Sequence, residues 1–99
     1  MSWRNDLRDL IDALAYGVLY APDEFPQEDF LAPDEQMTFP RFAGELRERL
    51  QSLSGSLRDK VDSQFTTSIL EDAIRSYAEG RRNEGAWKLQ ELEGLLRKV

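Results

Sequence analysis

The stretch TFPRFAGELRERLQSL, residues 38–53, sets the fold because its apolar side chains recur at helical spacing. They follow one another every three or four residues and share one face of an α-helix: Phe39, Phe42, Leu46, Leu50 and Leu53. Pro40 suits a first helical turn, where the N–H that proline lacks has no intrahelical partner, so we expect the helix to begin near Thr38. The triplet Ser54-Gly55-Ser56 predicts its end.

Two outer segments of the chain show the same spacing. Near the N-terminus an apolar stripe follows Ser2, the predicted N-cap, and comprises Trp3, Leu7, Leu10, Ile11, Leu14 and Val18. Gly17 within this helix indicates a place where another backbone approaches closely. Gly80 predicts a stop, Asn83 is the predicted cap of the last helix, and that helix presents Leu89, Leu92, Leu96 and Val99.

Residues 57–77 carry two apolar faces that one straight helix cannot direct at the same core. Leu57, Val61 and Phe65 share the first face. The second face is rotated from it by about 150° at the helical step of 100° per residue, and comprises Ile69, Leu70, Ala73, Ile74 and Tyr77. Ser68 and Glu71 fit a capping box. The pattern therefore predicts a break or strong kink near residues 66–68.

The predicted fold is all-α, a four- to five-helix bundle that forms a single helical domain over residues 1–99. No segment alternates apolar and polar residues over the length of a strand. One long proline-containing segment, residues 21–37, joins the first two helices and is named here the acidic connection.

The net charge of −6 is concentrated in the acidic connection. This segment has no lysine or arginine, and its carboxylates are Asp23, Glu24, Glu28, Asp29, Asp34 and Glu35. The other 13 acidic residues of the chain are matched by 13 basic residues. Such a local field speeds encounter with a basic partner and disfavours binding to nucleic-acid phosphates.

The composition leaves few routes to catalysis. The chain has no histidine and no cysteine, so it lacks the commonest acid–base group, a thiolate nucleophile and the usual zinc ligands. We therefore expect a non-enzymatic protein without a cofactor. No apolar run reaches the roughly 18 residues of a membrane helix, and no targeting segment is evident. We expect a cytoplasmic protein that binds neither membrane nor nucleic acid.

Large aromatic residues border the acidic connection. By helical phase Tyr16, Tyr20 and Trp87 lie away from the apolar faces of their helices. Phe25 and Phe30 are interleaved with the carboxylates, and we expect both to cover the end of the bundle. Aromatic side chains with a polar tip are favoured interface anchors. The predicted partner-binding residues are therefore Tyr16, Tyr20, Asp23, Glu24, Phe25, Glu28, Asp29, Asp34, Glu35 and Trp87.

A small, acidic helical chain with this layout is similar in character to bacterial immunity proteins and antitoxins. The resemblance lies in size, acidity and the order of the segments. It implies an inhibitor that blocks a nuclease-like toxin with carboxylates that stand in for nucleic-acid phosphates. The expected partner is a basic protein, and the chain itself is expected to be a monomer or a small homo-oligomer.

Two alternatives stay open. Glu45-x-x-Glu48 and Asp59-x-x-Asp62 are carboxylate pairs spaced three residues apart. They resemble the metal-binding pattern of all-α nucleotide pyrophosphohydrolases of the MazG type, which implies Mg²⁺-dependent hydrolysis of a nucleotide. The second alternative is a small helical adaptor or a dimeric regulator.

Overall fold

The computed structural model describes residues 3–57 and 59–99, and these residues contain four α-helices and no strand. The helices are α1 (Trp3–Tyr20), α2 (Phe39–Leu57), α3 (Ser63–Ala78) and α4 (Arg82–Arg97). This architecture confirms the all-α prediction. Ser2, the predicted cap of α1, lies outside the described residues.

The helices pack in a closed ring, with α1 against α2, α2 against α3, α3 against α4 and α4 against α1. The predicted apolar faces of α1, α2 and α4 and the face from Ile69 to Tyr77 on α3 meet at its centre, whereas Phe65 of the other predicted face is 52% exposed. The most deeply buried large side chains are nearly all leucines: Leu10, Leu14, Leu46, Leu53, Leu57, Leu70, Leu89, Leu92 and Leu96. Packing is least extensive between α2 and α3, and a groove opens there.

The predicted stop of α2 at residues 54–56 is wrong, because the helix continues to Leu57. Leu57 is buried and extends the apolar face one turn beyond Leu53. Gly55 lies within the helix, in open space. Burial of a leucine is worth about 1.5–3 kcal/mol, which exceeds the cost of about 1 kcal/mol for a helical glycine.

The predicted break near residues 66–68 is also wrong, because α3 runs without interruption from Ser63 to Ala78. Helix α2 ends at Leu57 and α3 begins at Ser63, so Leu57 belongs to α2, Phe65 to α3 and Val61 to the segment between them. These three residues therefore do not share a helix face. Asp62 caps α3 instead of Ser68, because its Oδ1 accepts hydrogen bonds from the N–H groups of Gln64 and Phe65, at 2.9 and 3.3 Å.

At the junction of α3 and α4, the predicted stop at Gly80 is confirmed and the predicted cap at Asn83 is wrong. Gly80 has a φ of 81°, a left-handed conformation that ends α3 at little steric cost. Asn83 is not the cap: α4 begins at Arg82, and its N-cap residue Arg81 makes no capping hydrogen bond through its side chain.

Gly17 marks a close approach, although it is made by side chains and not by another backbone. A Cβ atom at this position would lie 2.7 Å from two ring atoms of Phe42 and 3.0 Å from Cδ1 of Leu89. Gly17 therefore lets α1 sit close to both α2 and α4.

Tyr77 is a core residue whose polar tip has no partner. It is 5% exposed, and its hydroxyl makes no hydrogen bond with any residue in 3–57 or 59–99. Its ring packs against Phe39, with ring centroids 5.3 Å apart. Burial raises the pKa of Tyr77 to about 12 from 10.0, while Arg82 acts weakly in the opposite direction.

We expect Tyr77→Phe to raise the free energy of unfolding by up to about 1 kcal/mol, because it removes an unsatisfied buried hydroxyl. Since ionisation is disfavoured only in the folded state, wild-type stability that is present below pH 10 falls as the pH rises from 10 to 12. Thermal melts of the variant should lack this part of the alkaline loss. Tyr20→Phe is the control. A variant less stable than wild type at neutral pH would indicate a partner for the hydroxyl.

Candidate protein-interaction site

The three predicted aromatic residues next to the acidic connection form a packed cluster with Phe42. The ring of Tyr16 stacks on Phe25 with centroids 5.7 Å apart and meets Tyr20 edge to face at 4.9 Å. Phe25 in turn packs on Phe42 at 5.3 Å and is buried. Burial, followed by the nearby Glu28 carboxylate, raises the pKa of Tyr16. Tyr16 and Tyr20 are half-buried, so these aromatics fasten the connection to α1 and α2.

Asp23 and Glu24 are not free carboxylates, because Arg82 reaches them from the start of α4. The guanidinium of Arg82 lies 2.8 Å from Oε2 of Glu24 and 3.9 Å from Oδ1 of Asp23. The hydrogen bond from Arg82 lowers the pKa of Glu24. This ion pair closes the end of the bundle and neutralises part of the first acidic pair.

A buried glutamine organises the middle of the acidic connection. Gln36 is 8% exposed, its Oε1 accepts the N–H of Glu28 at 2.8 Å, and its Nε2 donates to the carbonyls of Glu28 and Leu31, both at 2.9 Å. The N–H of Leu31 also donates to the Glu28 carbonyl at 3.1 Å. Residues 28–31 therefore form a turn whose backbone is held by one side chain. We call it the 28–31 turn.

The second acidic pair lies in a short 3₁₀ helix, Pro33–Glu35. The Glu35 carboxylate accepts the N–H of Ala32 at 3.0 Å. Arg41 of α2 donates to the backbone carbonyls of Asp34, Glu35 and Gln36, at 3.2, 2.8 and 3.2 Å. The nearest basic residue thus binds the backbone of this segment and forms no ion pair with its carboxylates in the described part of the chain.

Three of the six carboxylates are exposed and form neither an ion pair nor a hydrogen bond with any described residue: Glu28, Asp29 and Asp34. Glu35 also has no ion pair, but its carboxylate accepts the N–H of Ala32. Glu28 and Asp29 belong to the 28–31 turn, and Asp34 belongs to the 3₁₀ helix. The six carboxylates are therefore not equivalent, contrary to what the sequence alone suggested: Arg82 partly neutralises Asp23 and Glu24, while Glu28, Asp29 and Asp34 have no such partner among the described residues.

Phe30 does not cover the end of the bundle, contrary to expectation. It lies at the tip of the 28–31 turn, directly after Asp29, and is 81% exposed. Phe25 occupies the packing position that we predicted for both residues. Because Phe25 fills that position and Gln36 holds the following turn, Phe30 is directed into solvent.

Trp87, which helical phase places away from the apolar face of α4, is exposed, with 72% of its surface accessible. It lies on α4 about 140° around the helix from Arg82, the residue that binds the acidic connection. Trp87 and the connection therefore occupy different faces of α4. The structure does not combine Trp87 with the other predicted residues in one surface.

The carboxylates Glu45, Glu48, Asp59 and Asp62 do not assemble into a metal site, and the described residues contain no group of three or more potential ligands arranged to hold an ion. Glu45 lies about 18 Å along the axis of α2 from Leu57, at a rise of about 1.5 Å per residue. Asp59 and Asp62 come after that end of the helix, and Asp62 is engaged in capping α3.

A groove of about 410 Å³ runs between α2 and α3 and was not foreseen from the sequence. Apolar side chains and side chains with hydroxyl or amide groups line it together: Leu50, Leu57, Val61, Leu70, Gln51, Ser54, Ser63, Thr66 and Thr67. An ion pair between Arg47 and Glu71 lies at its edge, with two hydrogen bonds of 2.8 Å. The hydrogen bonds from Arg47 lower the pKa of Glu71. Small side chains on both helices are the sequence signal that accompanies this gap.

Comparison of the chain with family models, curated proteins and solved structures finds no match. None of the helices in residues 3–57 and 59–99 combines the length and the apolarity that a membrane span requires.

Sequence reasoning missed three residues that shape the site: Phe30 as an exposed tip, Gln36 as its support and Arg82 as a partner of the first acidic pair. A lone glutamine between Glu35 and Met37 carries no periodic signal, and Arg82 is 58 positions from Glu24. The tetrapeptide Ala-Pro-Asp-Glu occurs twice in the acidic connection, at residues 21–24 and 32–35, yet Arg82 pairs only with the first copy.

Proposed function

We propose that this protein is a non-enzymatic binding domain that captures a basic protein through its acidic connection. The observation that carries the proposal is the group of unpaired, exposed carboxylates at Glu28, Asp29 and Asp34, on a molecule whose other charges largely balance. Like charges that lie close together repel one another, which disfavours the compact state. A cationic partner surface removes that repulsion on binding.

The specific form of this proposal is an immunity-type inhibitor that acts in the cytoplasm on a nuclease-like toxin. A nuclease carries a cationic surface for the phosphates of its substrate. Carboxylates spaced along an extended connection can occupy such a surface and exclude the nucleic acid. Electrostatic complementarity of this kind raises the association rate and sets specificity. Asp23 and Glu24 contribute less in this proposal, since Arg82 already neutralises them in part.

The proposal predicts that the position of the negative charge matters, and not only its amount. We expect immobilised wild-type protein to retain a basic protein from an extract of its source cells and to release it as salt shortens the Debye length below about 5 Å. The variant E28K/D29K/D34K should lose at least about 100-fold in affinity, because three attractive contacts become repulsive. The measurement is the dissociation constant of the retained protein as a function of salt.

The matched control reverses three exposed acidic residues elsewhere, Asp9, Glu48 and Glu91, and gives the same net charge as the test variant. It should bind within a few-fold of wild type. Equal loss of affinity in both triple variants would contradict a local site. For the immunity-type form, the retained protein should also cleave nucleic acid, and wild-type protein should block that cleavage.

A further inference from the structure

We propose that Phe30 is the anchor residue of this surface and that Gln36 is the residue that positions it. The inference rests on the proposed function and names the partner's chemistry: a basic surface with a small apolar pocket rimmed by arginine. Phe30 enters the pocket, while Glu28 and Asp29 pair with the arginines around it.

Phe30 combines an exposed side chain with an ordered backbone. A single exposed apolar residue is common on protein surfaces and needs no explanation by itself. Phe30 differs because both backbone ends of its turn are hydrogen-bonded: the N–H of Leu31 donates to the carbonyl of Glu28, and Gln36 contacts both residues. The backbone that carries the Phe30 ring is therefore held in a defined conformation.

Gln36 is a buried polar residue whose side chain needs hydrogen-bond partners. A buried amide side chain is costly unless its donors and acceptor are satisfied. All three hydrogen bonds of the Gln36 side chain go to the backbone of the 28–31 turn. Within the described part of the chain, its polar atoms form hydrogen bonds with this turn and with no helix. The turn is thus ordered before a partner arrives.

The preformed turn favours the binding affinity of Phe30. Ordering a flexible side chain or loop on association lowers affinity, and a preformed element avoids that loss. Large aromatic side chains that fill a pocket at the centre of an interface carry much of the binding energy. Phe30 meets both conditions, being aromatic, exposed and held on an ordered turn.

The carboxylates next to Phe30 indicate which residues would surround the partner's pocket. Glu28 and Asp29 precede Phe30 directly, so a pocket that receives the ring brings its rim against their carboxylates. Arginine satisfies this geometry best, because its planar fork binds a carboxylate through two hydrogen bonds and its face stacks on an aromatic ring. An apolar floor and an arginine rim are therefore the complementary chemistry.

Two peptides of equal charge serve as probes, one of sequence RRLRRLRR and one with serine at both leucine positions. We expect wild-type protein to bind the leucine peptide at least about fivefold more tightly than the serine peptide in low salt. Phe30→Ser should reduce that ratio to about one and leave serine-peptide affinity unchanged. E28K/D29K/D34K should weaken both peptides alike, because it removes attraction common to both.

Gln36→Ala tests the positioning role, with Gln27→Ala, an exposed glutamine of the same connection, as the control. Without peptide, the exchange rates of the Glu28 and Leu31 amide protons should rise at least about tenfold in Gln36→Ala only. The preference for the leucine peptide should fall in that variant at temperatures where it is fully folded. A purely structural role would lower the melting temperature and leave the preference of the folded protein intact.

Each outcome bears on a different part of the proposal. Failure of both peptides to bind wild-type protein in low salt would overturn the basic-partner function and this inference with it. Equal binding of both peptides, unaffected by Phe30→Ser, would overturn the anchor while leaving the electrostatic function in place. Unchanged amide exchange and unchanged preference in Gln36→Ala would overturn the positioning role of Gln36.

Discussion

Leu92→Ala should lower the free energy of unfolding by about 3–5 kcal/mol, the largest stability effect that we expect from a single substitution in this protein. Leu92 is fully buried on α4 at the centre of the bundle. Truncation removes buried methyl groups and leaves a cavity between helices that cannot collapse freely. A domain of this size has a total stability of about 5–15 kcal/mol, so the loss is a large fraction of it.

Urea-induced unfolding followed by circular dichroism measures this effect. The matched control is Leu19→Ala, the same substitution at a leucine that is 63% exposed on α1. That variant should differ from wild type by about 0.5 kcal/mol or less. Similar losses at both positions would contradict the packing of the bundle, since they would place Leu19 and Leu92 in comparable surroundings.

Gly85→Ala should lower the free energy of unfolding by about 1–3 kcal/mol, even though alanine is the better helix former. A Cβ atom at Gly85 would lie 2.7 Å from two ring atoms of Tyr77 and 2.9 Å from a third. The ring cannot withdraw easily, because Tyr77 is buried and also packs against Phe39. Helices α3 and α4 must therefore separate to accommodate the methyl group.

Gly94→Ala is the control on the same helix and should have the opposite sign. Apart from the neighbouring backbone of α4 itself, no atom of residues 3–57 or 59–99 lies within 4 Å of a Cβ at Gly94, so the substitution adds helix propensity without a clash. We expect it to stabilise the protein by about 0.5–1 kcal/mol. Thermal melts of the two variants test the α3–α4 contact, and a stabilising Gly85→Ala would show that Tyr77 does not pack against Gly85.

The helical body could be predicted because its leucines repeat at one local period. The apolar faces of α1, α2 and α4 emerged correctly from spacing alone. Spacing also placed Tyr16, Tyr20 and Trp87 off those faces, but it did not decide that Trp87 is the exposed one of the three. The errors lie at helix ends, where a single buried or capping residue decides the outcome. Leu57 carries α2 past Gly55, and Asp62 begins α3 ahead of the serine and threonine residues that seemed to interrupt it.

The candidate site was less predictable because contacts between distant residues decide it. Charge counting located the acidic connection, yet it treated Glu24 and Asp29 as equivalent. Arg82 pairs with the former, and no described residue forms an ion pair with the latter. Likewise Phe25 and Phe30 have equal hydropathy, and only the packing of Phe25 and the hydrogen bonds of Gln36 separate a buried ring from a presented one.

The binding surface at Phe30 and the three unpaired carboxylates is tested most directly by mapping backbone amide chemical shifts during titration with the peptide RRLRRLRR. We expect the largest chemical-shift changes in residues 28–36, centred on Phe30. We expect these changes to disappear in E28K/D29K/D34K. Changes centred on the groove between α2 and α3, around Leu50 and Leu70, would contradict it. So would shifts that survive reversal of the three unpaired carboxylates.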